Sequence, residues 1–205
     1  MDRRTTLKWM LAASASMPLV NVYPSTNGVS AAAKPYGTDP NLTRSYKPGD
    51  LWPLTFTSEQ RATAAVLCDL IIPADARSPG ASSVGVVDFI DEWVSAPYET
   101  QQADRAVVLE GLQWLDREAR RRFSKTFRQL DASQHRQLCD DICSLPKARP
   151  PFQRAAMFFA RYRDLTAGGF YTTPQGRKDL QYVGNVPMAS FNGPPAEVLK
   201  KVGLL

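Results

Sequence analysis

The chain carries one histidine, His135, and three cysteines, Cys68, Cys139 and Cys143. Serine or cysteine nucleophiles need an imidazole base within hydrogen-bond reach, so His135 is the sole candidate. It falls on an apolar stripe with Leu138 and Cys139, a position that reads as a satisfied structural histidine. Zinc takes four nitrogen, sulfur or carboxylate ligands at matched spacing, which this set does not supply. Asp75, Asp88 and Asp91 follow Pro73, but their spacing fits no calcium loop. Cys139 and Cys143 stand one helical turn apart in an odd set of cysteines. Buried thiols or an intersubunit disulfide through Cys139 or Cys143 both account for that count. Gly-x-Gly-x-x-Gly, the P-loop pattern and Cys-x-x-Cys-His are all missing, which leaves dinucleotide, phosphate and covalent haem sites unsupported. No catalytic, cofactor-binding or metal residue is assigned to this chain.

The surrounding pattern is helical. Of 205 residues 43% are hydrophobic and 22% charged, an ordinary globular composition that excludes disordered, collagen-like and membrane-filling chains. Thr57-Ser58-Glu59-Gln60 is a capping box opening a helix. Ala62, Val66, Leu67, Leu70 and Ile71 form its stripe, and Pro73 closes it. Residues 84–94 predict a short helix with Val86, Phe89, Ile90 and Trp93 on one face. Val108, Leu112, Leu115, Ala119 and Phe123 recur at steps of three or four, an amphipathic helix over 104–122. Asp131 N-caps another, with His135, Leu138, Cys139 and Ile142 inward. Pro150-Pro151 introduces a strongly apolar helix over 152–165, which Gly168-Gly169 is expected to end.

Both flanks lack this period. Residues 34–56 contain four prolines and predict an extended arm. It is either a flexible leader or a strip lying on a partner through Tyr36, Tyr46 and Trp52. From Phe170 onward glycines, prolines and aromatics alternate, with only 196–202 looking helical. The expected fold is all-α: a compact bundle of about five helices with irregular Pro/Gly/aromatic arms at both ends. The run Arg117, Arg120, Arg121, Arg122, Lys125 and Arg128 reads as a solvated helix face. An acidic protein surface or lipid headgroups are its alternative partners.

The opening MDRRTTLKWMLAASASMPLV has the layout of an export signal. Arg3 and Arg4 are paired, Leu7 and Lys8 follow, and an apolar stretch runs over 9–20. That stretch is too short and polar to span a bilayer, and Ala31-Ala32-Ala33 offers a cleavage site. Paired arginines point to the twin-arginine route, which carries folded chains, and so to a periplasmic protein and contact with the twin-arginine translocase. The predicted division is a signal over 1–33, an arm over 34–56 and a helical domain over 57–205. Without residues 1–33 the chain holds 22 Lys and Arg against 19 Asp and Glu. The resulting +3, outside the cytoplasm, speaks against nucleic acid. An export signal for folded cargo on a chain with no cofactor site suggests an escort bound to a larger, cofactor-loaded protein.

Three blocks resemble the gluconate 2-dehydrogenase subunit 3 family. They are LCDLIIPADARSPGASSVGVVDFID over 67–91, RYRDLTAGGFYTTPQG over 161–176 and DLQYVGNVPMASFNGPP over 179–195. Gln181 stands where glycine is frequent in the family. The resemblance implies a small, non-catalytic subunit of a dehydrogenase complex. Its partner would be a large FAD-binding chain that oxidises a sugar, sugar acid or polyol. A multi-haem cytochrome c can serve as a third subunit, and association with the inner membrane would come through such partners. FAD and haem c are thus expected in other subunits. As the partner-binding surface the sequence offers Trp52, Phe170, Tyr171, Pro174, Tyr182, Gly184 and Phe191. Large aromatics dominate interface energetics, although the same residues can cap the bundle's own core. The alternatives are a stand-alone periplasmic binding protein and a gluconate-type dehydrogenase in its own right.

Overall fold

A computed structural model describes residues 41, 43–182, 184, 189–190 and 193–205. Arg3, Arg4, Leu7, Lys8, Tyr36 and Phe191 lie outside the described residues. Among those described there are seven α-helices and no strand, which is the all-α class expected. The helices are α1 (Ser58–Ile71), α2 (Val86–Ser95), α3 (Glu99–Phe123), α4 (Ala132–Asp140), α5 (Gln153–Thr172), α6 (Pro174–Asp179) and α7 (Ala196–Lys201).

Two of the expected helix starts carry their caps. Thr57 Oγ1 accepts the Gln60 amide while Gln60 Oε1 accepts the Thr57 amide, at 3.2 and 2.9 Å. Asp131 and Gln134 repeat this at α4. Each reciprocal pair satisfies donors that the first helical turn leaves orphaned. His135 packs edge-on against Phe127, and its Nε2 bonds the Phe127 carbonyl at 2.9 Å. That is the structural role its stripe position implied.

The long helices α3 and α5 run antiparallel through the centre. Arg161 Nε donates to Asp104 at 2.7 Å, Gly111 faces Phe158, and Trp114 meets the Phe152 ring. At Gly111 a Cβ would fall 2.0 Å from the Phe158 ring, so glycine is what lets the two helices approach. Val108, Leu112, Leu115 and Ala119 are fully buried here, together with Phe158 and Tyr162. Helix α1 closes the core with Thr63, Ala64, Leu67 and Cys68. The stripe read from sequence is rotated from this face: Leu70 is exposed, and Ala62 and Val66 are half-buried. That stripe leaves out Thr63 and Cys68, and Tyr162 supplies the polar partner of Cys68. Its hydroxyl donates to the Ala64 carbonyl at 2.9 Å and lies 3.3 Å from Cys68 Sγ. Burial pushes the Cys68 thiol up to about 11, leaving it an inert packing group.

Helix α5 corrects the reading of Gly168-Gly169, because it passes through both glycines to Thr172. A Cβ at Gly169 would sit 2.7 Å from the Phe89 ring. The residue therefore serves close packing of α5 on α2. Sequence reasoning took a contact signal for a terminator.

The arm also has a definite seat. Gly49 N donates to Glu92 Oε2 at 2.9 Å, and Trp52 Nε1 to the Glu92 carbonyl at 3.1 Å. The Thr55 and Phe56 amides converge on buried Asp91 at 3.0 and 2.9 Å. Arg61 closes this knot from α1, pairing with both Asp91 and Asp88. Residues 49–56 are thus strapped along α2 of the same chain, and Trp52, only 9% exposed, is an anchor within it. Removing a partner from a buried, paired charge typically costs about 3–5 kcal/mol, so the Asp91 knot fixes the strap.

Candidate functional site

The first and second sequence blocks and the start of the third, residues 179–182, meet at one end of the bundle. Helix α1 delivers the first as the loop between Ile71 and the 3-10 turn Ala81–Val84. Pro73 stops the helix, and the Asp69 carboxylate holds the far end of the loop. It accepts the Ser82 amide at 2.8 Å and the Ser82 hydroxyl at 2.6 Å. Gly80 passes directly over it, since a Cβ there would stand 2.7 Å from Asp69 Oδ1. Asp75 turns the loop tip by accepting the Arg77 and Ser78 amides at 2.7 and 2.8 Å. Those two backbone donors hold its carboxyl below the usual carboxylate range. From the tip, Ser78 Oγ donates to Asp179 Oδ2 at 2.6 Å, tying the loop to α6.

The second block makes the turn between α5 and α6. Phe170, 2% exposed, points into the core. Thr173 then caps α6, its Oγ1 accepting the Gly176 amide at 3.0 Å, with Pro174 at the first helical position. Hydroxyl then proline is a helix-start signature, the local signal by which α6 was legible although the sequence reading missed it. At Gly176 a Cβ would fall 2.1 Å from the Phe170 carbonyl oxygen and 2.7 Å from Tyr171 Cα. Only glycine fits there.

The third block begins where α6 ends. Gln181 N donates to the Lys178 carbonyl at 3.0 Å and Tyr182 N to the Arg177 carbonyl at 2.9 Å. These two bonds make a Schellman cap, and Gln181 occupies its left-handed position with φ of +54°. That is a conformation glycine adopts without steric cost.

Of the residues offered as partner-binding, Phe170 and Trp52 are buried against their own chain. Tyr171, Pro174, Tyr182 and Gly184 are exposed. Tyr171 is 40% exposed and stands edge-on to Phe170, while Tyr182 is 57% exposed. The sequence reading omitted Leu180, which joins them at 58%. Its position at the C-cap of the short helix α6, unseen in the periodicity, is why. Helix α7 beyond is exposed except for half-buried Leu199.

Chemistry elsewhere is sparse. Among the described residues no three His, Cys, Asp or Glu side chains cluster as a metal site. Cys139 is half-buried, its thiol pushed up to about 12 by burial, whereas Cys143 is exposed. Neither cysteine is paired within the chain. An apolar cleft of about 230 Å³ lies between Trp52, Phe89, Trp93 and Tyr98, and one of about 160 Å³ between Val107, Trp114, Met157 and Phe158. Both are smaller than the roughly 300–1,000 Å³ of ordinary small-molecule sites. They suit a side chain better than a dinucleotide. No described helix is long and apolar enough to cross a membrane.

No curated protein and no solved structure matches the chain. The sequence profile of gluconate 2-dehydrogenase subunit 3 matches residues 58–191, from the first residue of α1 into the third block. The chain therefore belongs to the gluconate 2-dehydrogenase subunit 3 family, whose name denotes one subunit of a multi-subunit dehydrogenase complex.

Proposed function

We propose that this chain is the non-catalytic small subunit of a periplasmic, FAD-dependent dehydrogenase acting on a sugar, sugar acid or polyol. It grips the large flavoprotein subunit with the α5–α6 end and escorts it through twin-arginine export. Residues 1–33 are the export signal, 34–56 the strap and 57–205 the domain that binds. The flavin resides in the large subunit, and a multi-haem cytochrome c is the natural third member.

The observation that carries this reading is the junction of the first two family blocks with residues 179–182 of the third at a turn fixed by backbone fit at Gly176, with Tyr171, Leu180 and Tyr182 left exposed. Exposed aromatics on a rigid support are how interface hot spots are built. Burying each such side chain on a partner is worth roughly 1.5–3 kcal/mol before ordering costs.

The test is co-purification from the native host. The tagged wild-type chain should bring down a much larger band with flavin absorbance. The triple variant Tyr171→Ala, Leu180→Ala, Tyr182→Ala should lose both while melting at the wild-type temperature. Arg3→Lys with Arg4→Lys should strand the flavoprotein in the cytoplasm. Retention of the flavoprotein by the triple variant would place the interface elsewhere, and flavin on the isolated 22.7 kDa chain would refute the non-catalytic role.

A further inference from the structure

Residues 117–149 hold nine Lys and Arg against four Asp and Glu, a net +5 equal to the formal charge of the entire chain. They fold at the opposite end of α5 from the tyrosine-bearing turn. The elements are the last turns of α3, the 3-10 turn Phe127–Gln129, α4 and the 3-10 turn Leu145–Lys147. Most carboxylates of this end are engaged internally. Glu118 takes Arg121 and Arg122, Asp141 takes Arg122 and Arg149, and Asp131 caps α4. Asp140 alone of the four stands exposed without such a role.

Arg117, Arg120, Lys125, Arg128 and Arg136 are exposed, and none forms an ion pair with a described carboxylate. Arg120 and Arg128 border one shallow cleft with Glu59 and Asp116, so cations from separate elements are spatial neighbours. Asp116 is already held by the Phe127 amide at 2.9 Å.

Such a surface has two candidate partners, and the side chains around it discriminate between them. Protein interfaces are anchored by aromatic and apolar groups in pockets. Within residues 117–149 the exposed large apolar side chains reduce to Leu145. The other end of the bundle has the exposed tyrosines. Long cations spread over several elements without an anchor match a partner whose negative charges are mobile and laterally averaged. We infer that this end lies on the surface of a bilayer containing anionic phospholipid, as a peripheral contact made by the small subunit itself. Attraction accumulates over the cations near the headgroups and decays over a Debye length of about 8 Å at physiological salt. The membrane and the large subunit would then occupy opposite ends of one helix.

The test is co-sedimentation of the full chain with two vesicle preparations, phosphatidylcholine alone and phosphatidylcholine mixed with phosphatidylglycerol. The wild type should pellet with the anionic vesicles only, and added salt should release it. A basic-end variant (Arg117→Gln, Arg120→Gln, Arg128→Gln, Arg136→Gln) should lose about tenfold or more in partitioning. A control of equal net charge (Arg177→Gln, Lys178→Gln, Lys200→Gln, Lys201→Gln) should partition like the wild type. Circular dichroism on all three confirms that they fold. The inference is overturned if the wild type ignores anionic vesicles or pellets equally with neutral ones. It is equally overturned if the two variants lose the same amount. The competing acidic-protein reading wins if the basic-end variant still binds vesicles but no longer retains the large subunit.

Discussion

At the turn between α5 and α6 the atoms that constrain each residue are backbone atoms, whereas at the other end of α5 they are the tips of charged side chains. Gly176 sits against the Phe170 carbonyl and the Tyr171 Cα, with no room for a methyl group. At the basic end Glu118 is clamped by Arg121 at 2.6 Å and Arg122 at 2.7 Å. Arg122 bridges onward to Asp141 at 2.8 Å and lies over the Phe152 ring. A backbone fit tolerates no added volume and is indifferent to pH. A charge clamp tolerates shape changes but depends on protonation and salt. The first arrangement suits a surface that must present side chains to a protein in one geometry. The second suits a surface that needs only its charge.

The largest expected effect is therefore at the turn. Gly176→Ala places a methyl 2.1 Å from a backbone oxygen, and neither neighbour is a flexible side chain. Overpacking of this kind costs about 3 kcal/mol. Thermal unfolding should show the loss, and co-purification should show α6 no longer presenting Leu180 and Tyr182. A Gly176→Ala protein that melts and binds like the wild type would break the contrast between the two ends.

Glu118→Gln tests the clamp and should cost less, about 1–2 kcal/mol, because Arg122 keeps Asp141. Its signature is in pH. Hydrogen bonds from Arg121, joined by Arg122 and opposed by burial, hold the Glu118 carboxyl down at about 2 from an ordinary 4.5. A depressed carboxylate stabilises the fold fully above its unfolded value, and that contribution fades as pH falls through the folded one. The gap in melting temperature between wild type and Glu118→Gln should thus be constant above about pH 5. It should close on acidification toward about pH 2. Gly176→Ala should show a gap without that pH dependence.

These two cases also explain what the sequence revealed. Capping boxes at Thr57 and Asp131 were legible because they depend on residues three apart. The inward faces of α3 and α4 were legible through period alone. What escaped involved partners distant in the chain. Gly169 reads locally as a terminator and acts as a contact with Phe89. Trp52 reads as a free anchor and is seated by Glu92, forty residues on. The face of α1 was misplaced because buried Cys68 meets Tyr162 on α5 and buried Thr63 lines a cleft with Leu112 and Asp116 of α3, which no local pattern announces. The proposed docking surface was half legible. Tyr171 and Tyr182 could be named from composition, but separating them from Phe170 required the path of α5.

The smallest effects fall on residues where a glycine is either unneeded or missing. Gly168 lies within α5 with nothing within 4 Å of an added Cβ, so Gly168→Ala should gain about 0.5–1 kcal/mol in helix entropy. At its neighbour Gly169 an added Cβ would fall 2.7 Å from the Phe89 ring, and the same change there should lose stability.

Gln181 and Ser124 make the last comparison, one at each end of the bundle. Each ends a helix in the left-handed region, with φ of +54° and +56°. A side chain there brings Cβ toward the following carbonyl oxygen, a cost of about 1–2 kcal/mol that glycine avoids. Glycine returns part of this through the greater freedom of the unfolded chain. A net gain of about 0.5–1 kcal/mol is expected for Gln181→Gly and for Ser124→Gly alike. The two should differ in function. Gln181 sits between Leu180 and Tyr182, so sharpening its cap orders the proposed interface and should tighten retention of the large subunit. Ser124 stands beside Lys125 on the basic end, where retention should not change. Equal stabilisation with unequal binding would assign the two ends their separate roles. Equal effects on both would mean that the large subunit covers the basic end as well.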